Sequence, residues 1–150
     1  MESHEHYMRR AIALTAHVPE LPFGAVIVRQ DDGAIMAEGW NRTTLNPTWH
    51  GEIDAINALY KSNRKVDGRR LVLYTTAEPC VMCMAALCWS GIATIVYGTS
   101  VRFLRAHGWQ QFDLETEEVV RGSPGWEGTI LGGVLRDECD ALFRAGPPSE

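Results

Sequence analysis

Apolar positions along this chain recur at two different periods. From about His4 to His17, Tyr7, Met8, Ala11, Ile12 and Leu14 fall at helical spacing, which predicts an amphipathic first helix ended by "VPELPFG". "FGAVIVR" and "AIMAEGW" are apolar runs on either side of "QDDG", whose Asp-Gly is a hairpin signal, and they predict two antiparallel strands. After the polar loop "NRTTLNPT", the segment "HGEIDAINALYKS" returns to the helical period. It carries Ile53, Ile56, Asn57 and Tyr60 on one face, and His50 and Glu52 in its first turn. "RRLVLYTT" predicts a buried strand, Pro79 starts a helix running to about Trp89, and "IATIVYG" predicts another buried strand. Strand, helix and strand at this length form a βαβ unit, so these two strands are expected to be parallel.

The last third alternates less cleanly. "SVRFLRAHG" predicts a helix, "FDLETEEVVRGSPGWEG" a surface loop, "TILGGVL" a short strand and "RDECDALFRA" a closing helix. No internal repeat, low-complexity tract or linker interrupts the series. Residues 1–150 are therefore expected to form one α/β domain, a central sheet flanked by helices. A chain of this length buries roughly 68–70% of its unfolded surface, enough for a real core.

Charge and cysteine usage narrow the chemistry. Fourteen Lys and Arg against 19 Asp and Glu leave a formal net charge of −5. That balance argues against a broad nucleic-acid surface, which draws its affinity from clustered cations. No apolar run approaches the roughly 18 residues of a spanning helix, and "MESHEHYMRR" is polar and charged, so a cytoplasmic protein with no membrane partner is expected. Three of the four cysteines, Cys80, Cys83 and Cys88, crowd into nine positions. This suits metal or redox chemistry in a reducing compartment better than a disulfide framework.

Cys80 and Cys83, three residues apart at a helix start, direct their sulfurs to one side. They also sit at the positive end of the helix dipole, which favours thiolate. Alone, a CxxC reads equally well as a redox pair or half of a metal site. A structural Cys₄ or Cys₂His₂ site needs a second close ligand pair, and the sequence offers only His4 and His6. His50, at another helix start, supplies a third ligand, and three protein ligands with an open position are the pattern of a catalytic zinc. Glu52, two residues on, faces the metal water without ligating. Cys88 and Cys139 read as small buried apolar residues.

With those residues in place, "HGE" together with "TAEPCVMC" resembles the zinc-dependent cytidine and nucleobase deaminase superfamily. The resemblance runs through "GWNR", "NPTWHGE", "LYTTAEPCVMCMAAL" and "IATIVYG", and is nearest the branch of guanine deaminases, tRNA adenosine deaminases and fungal-type cytosine deaminases. It implies a three-layer αβα sandwich around a five-stranded mixed sheet, in a homodimer. It also implies Zn²⁺ held by His50, Cys80 and Cys83, which brings the pKa of a bound water toward roughly 7, with Glu52 as proton shuttle. Asn41 of "GWNR" then hydrogen-bonds the base, the amide near Gly51 faces the reacting centre, and Trp49 and Trp89 are candidates for stacking on it. The bland alternatives are a turn former for Asn41 and a core or interface aromatic for Trp89.

"WSG" and "GGVLRDECDAL" are similar to bacterial guanine deaminases, and the near-neutral to acidic end of the chain speaks against tRNA. The expected reaction is thus hydrolytic deamination of a small nucleobase, guanine or a related purine first. One departure matters: such enzymes carry an aromatic followed by acids, such as "FDD", where this chain has "WQQ", Trp109 to Gln111. Gln111 offers a donor as well as an acceptor to the base edge, and Gly51 is shared with fungal cytosine deaminases, so a cytosine-like base stays open. The alternatives are adenosine-to-inosine deamination in tRNA and, more remotely, a non-catalytic zinc-stabilised binding module.

Overall fold

A computed structural model describes residues 1–62 and 65–149. Helix α1 spans His4–Leu14 and continues as one 3₁₀ turn to His17. Strands β1 (Gly24–Arg29) and β2 (Ile35–Trp40) form the expected hairpin. Helix α2 (Gly51–Ser62), strand β3 (Leu71–Ala77), helix α3 (Val81–Ser90) and strand β4 (Thr94–Thr99) follow. Helices α4 (Val101–Ala106) and α5 (Thr116–Arg121), strand β5 (Thr129–Leu131) and helix α6 (Arg136–Phe143) complete the chain.

The five strands make one mixed sheet in the order β2-β1-β3-β4-β5, with β1 antiparallel to both neighbours and β3, β4 and β5 parallel. Alternation along each strand loads both faces. Ala25, Ile27, Leu71, Leu73 and Ile95 pack with Ala55 and Leu59 of α2 and Met84 and Leu87 of α3. On the other face Val26, Val28, Val72, Tyr74 and Val96 pack with Tyr7, Met8, Ala11 and Leu14 of α1 and with Cys139 of α6. The fold is the three-layer αβα sandwich expected of a cytidine deaminase-like chain.

Two expectations need correction. The buried side of α2 is Glu52, Asp54, Ala55 and Leu59; Asn57 is exposed, while Ile53, Ile56 and Tyr60 are half-buried. Periodicity ranked apolar residues, but the tight space against β2 selects small ones: a Cβ on Gly39 would fall 2.4 Å from the Ala55 backbone nitrogen. The second correction is α5, inside the segment expected to be loop. Glu118 Oε1 accepts the Glu115 N–H at 3.1 Å, half of a capping box, and Val119 and Val120 pack onto the α2/α3 core. No helix among the described residues is long and apolar enough to cross a membrane.

Topology already places the site. Because β2 and β3 both run antiparallel to β1, they point the same way. The helices that follow them, α2 and α3, therefore start at the same edge of the sheet and on the same face. Residues 50–52 and 80–83, thirty positions apart in sequence, meet there.

Candidate metal centre

His50 directly precedes α2, Cys80 is the N-cap of α3, and Cys83 lies in the first turn of α3. His50 Nδ1 is 3.5 Å from Cys80 Sγ and 3.6 Å from Cys83 Sγ, and the three ligand atoms lie within 4.8 Å of one another. Zn–S bonds of about 2.3 Å and a Zn–N bond of about 2.05 Å at the tetrahedral angle put N and S about 3.6 Å apart. The spacing and the donor chemistry both fit zinc. The Cys80 thiol is brought down to about 4, first by the hydrogen bond from the Cys83 thiol and then by His50, against its burial. Giving that bond, together with burial, holds Cys83 well above the usual thiol range. The bond with Cys80 raises His50 in turn. The thiolate is the form that ligates zinc, and a metal at the cage would take the place of the proton His50 shares with Cys80.

Glu52 sits one residue into α2, only 4% exposed. Its Oε1 meets the Thr75 hydroxyl at 2.8 Å, and that hydroxyl is also 3.1 Å from the Ala77 carbonyl. Thr75 shares the Leu71–Leu73 face of β3, so strand alternation aims it at α2. Burial pushes the Glu52 carboxyl up, the Cys80 charge adds to this, and the Thr75 hydroxyl opposes it. A carboxyl so placed holds a proton more readily than an exposed one, as a group that alternately accepts and donates protons requires.

The loop between β2 and α2 is wired to itself and to the helix. Asn41 Oδ1 accepts from the Thr43 N–H at 3.0 Å and its hydroxyl at 2.7 Å, and Asn46 Oδ1 does the same for Thr48. Asp54, buried in the first turn of α2, accepts from the Trp40 N–H at 3.1 Å and from Trp49 Nε1 at 2.9 Å. Arg42 Nε stands 3.0 Å from the same carboxylate. The Arg42 guanidinium also lies over the Trp40 ring, 4.5 Å from its centroid. Asp54 thus ties both ends of the loop to the helix and fixes where His50 emerges. Sequence reasoning missed it, because an acid in a first turn is ordinary helix chemistry.

A cavity of ≈ 460 Å³ opens over the ligands, lined by Pro47, Thr48, His50, Cys80, Met82, Gln110, Gln111 and Phe112. Of the residues expected to bind a base, Gln111 is in this wall. Asn41 is buried but does not line the cavity, and its side-chain oxygen is taken up by the turn to Thr43. Gly51 opens α2, packed so tightly that a Cβ would lie 2.8 Å from the Phe23 carbonyl oxygen. As the first residue of α2 its N–H has no partner within the helix. Trp89 is not brought to this site. It lies nine residues beyond Cys80 on α3, about 13 Å at 1.5 Å per residue, is 83% exposed, and borders a different cavity with Trp126.

The fold and the ligand geometry agree with what the chain is similar to. Residues 1–99 match the model of the cytidine and deoxycytidylate deaminase zinc-binding region. A guanine deaminase of Bacillus subtilis is 39% identical over 101 residues, 63% of this chain and 64% of that protein. A tRNA-specific adenosine deaminase of Buchnera aphidicola is 33% identical over 111 residues, 71% of this chain and 67% of its own. The solved structure of a guanine deaminase from Nitrosomonas europaea superposes with a TM-score of 0.82 at 27% identity, covering 95% of this chain and 83% of that one. The matched stretch thus spans just under two thirds of the Bacillus protein.

Proposed function

Because this chain belongs to the cytidine and deoxycytidylate deaminase family, we propose that it is a zinc-dependent aminohydrolase acting on a small free nucleobase, guanine or a related purine first and a cytosine-like base second. The observation that carries the proposal is the His50, Cys80 and Cys83 cage at zinc distances beside the buried Glu52. Zinc bound there supplies Lewis-acid activation of a water. Glu52 takes the proton that water gives up and passes it to the ring nitrogen as the new C–O bond forms at the amino-bearing carbon. It then relays the proton of the newly added hydroxyl to the amino group; as the C–N bond breaks a carbonyl forms at that carbon, and ammonia leaves. The Thr75 hydroxyl, donating to Glu52 Oε1, holds the carboxylate in one orientation for both transfers.

Several features favour a free base. Among the described residues the cavity wall has no Lys or Arg. An anticodon loop brings phosphates, and this wall offers them no cation. Gln111 presents an amide with both a donor and an acceptor, suited to a neutral base edge. Adenosine in tRNA is the second reading, favoured by the likeness to the Buchnera protein. We place the enzyme in the cytoplasm, where thiols stay reduced, and as a homodimer. The dimer is supported by α3, which bears no charged residue and leaves Met82, Ala85, Ala86 and Trp89 at least partly exposed.

Ammonia release from guanine, cytosine, adenine, their nucleosides and tRNA, each against Glu52→Ala, tests the substrate class. Release from a free base alone is the expected outcome. Release from tRNA alone would replace the base with adenosine in RNA. No release from any substrate by zinc-loaded protein would leave a zinc-stabilised binding module.

A further inference from the structure

The cavity wall opposite the zinc ligands is Gln110, Gln111 and Phe112, and these belong to the connection between α4 and α5 rather than to any regular element. Both ends of that connection are fastened by one buried carboxylate. Glu78 is 4% exposed and stands two residues before Cys80. Its Oε1 accepts the Val101 N–H at 2.9 Å, at the start of α4. Its Oε2 accepts the Thr116 N–H at 2.8 Å and the Thr116 hydroxyl at 3.0 Å, at the start of α5. The Glu78 N–H in turn donates to the Thr99 carbonyl at the end of β4. One side chain thereby pins the helix that leads into the 107–115 connection and the far end of that connection to the same strand end that carries the zinc ligand. A second buried fastening among the described residues is Trp109, whose Nε1 donates to the Phe143 carbonyl at 2.9 Å. The remaining links are the exposed pairs Arg102–Glu115 and Arg105–Asp113, each worth little in solvent.

We infer that Glu78 is a positioning residue for substrate binding, which sets the separation between the zinc cage and the Gln110–Phe112 wall by clamping both ends of the α4–α5 connection. It touches neither metal nor base; it acts through Gln111. The carboxylate form is required, since three donors converge on its two oxygens and a primary amide turns one acceptor into a donor facing a backbone N–H. The inference rests on the proposed deaminase activity for its kinetic consequences, but not for its structural one.

In zinc-loaded, full-length protein Glu78→Gln should raise KM for the accepted base about tenfold, the scale of one lost hydrogen bond to a charged group, with kcat changed less than about threefold. Zinc stays at one per chain. Amide exchange of residues 107–115 rises while that of β1 and β3 is unchanged. In a double-mutant cycle with Gln111→Ala the Glu78→Gln effect shrinks, because the residue it positions is gone. Thr116→Val, which removes the hydroxyl and keeps the backbone N–H, should shift KM and loop exchange the same way by less, and it decides the matter should Glu78→Gln fail to fold. Unchanged loop exchange, additive effects in the cycle, or loss of zinc with kcat and KM falling together would overturn the inference. If the wild-type protein deaminates no base, the proposed activity falls, and the exchange of residues 107–115 alone still decides the role of Glu78.

Discussion

Helix α3 has a cavity at each end, and the two are nearly the same size: ≈ 460 Å³ over Cys80 and ≈ 470 Å³ beside Trp89. Volume does not distinguish them; chemistry does. At the Cys80 end three soft or borderline ligand atoms converge from two helix starts, and a buried carboxyl with a defined hydroxyl partner stands next to them. At the Trp89 end the wall is two tryptophans, Ala85, Ala93, Val119 and the turn Gly122–Gly125, bordered by Arg69 and Glu127. The first region holds polar groups in place at a cost in desolvation, which only a function justifies. The second mixes apolar walls with Arg69, Ser123 and Glu127 at its border and gathers no cluster of metal-ligating atoms among the described residues.

The contrast can be broken or sharpened by substitution at the two ends. Cys83→Ala removes a ligand from the smaller cavity and should abolish both zinc binding and ammonia release; metal analysis of the purified variant checks it, and retained stoichiometric zinc would contradict the cage. Glu52→Ala should lower kcat about 10³-fold with zinc retained, since a positioned acid–base group contributes roughly 10²–10⁴. Steady-state kinetics beside metal analysis separate this from a ligand loss. Thr75→Val leaves the carboxyl without its hydroxyl partner and should reduce kcat about tenfold, in the range for residues that orient a metal site. At the other end Trp89→Ala should leave kcat and KM within about twofold, as for surface changes away from a site. The same variant should raise the fraction of monomer at low concentration in analytical ultracentrifugation.

The same contrast explains what the sequence revealed and what it hid. The meeting of His50, Cys80 and Cys83 beside Glu52 was legible because the four lie in two short segments, HxE and PCxxC, at helix starts. The sheet and most helices were legible because alternation and helical periodicity are local. Hidden were the residues that work across distance. Glu78 fastens positions 23 and 38 residues away, and Asp54 joins Trp40 to Trp49. Neither differs in sequence from an ordinary acid. Helix α5 was hidden because its capping uses Glu115 in place of the usual Ser or Thr and its first N–H is held by Glu78. Between base stacking and an interface role for Trp89 the sequence could not choose, because an aromatic shows its size there but not which end of its helix the site occupies.

On this reading the cage at the start of α3 is a single zinc centre, and ammonia release depends on its occupancy. The direct measurement is ammonia release from the accepted free base by protein stripped with a chelator and then titrated with zinc. Activity should vanish on stripping and return in proportion to added zinc, reaching its plateau at one zinc per chain. Activity that survives stripping, or a plateau unrelated to zinc occupancy of His50, Cys80 and Cys83, would contradict it.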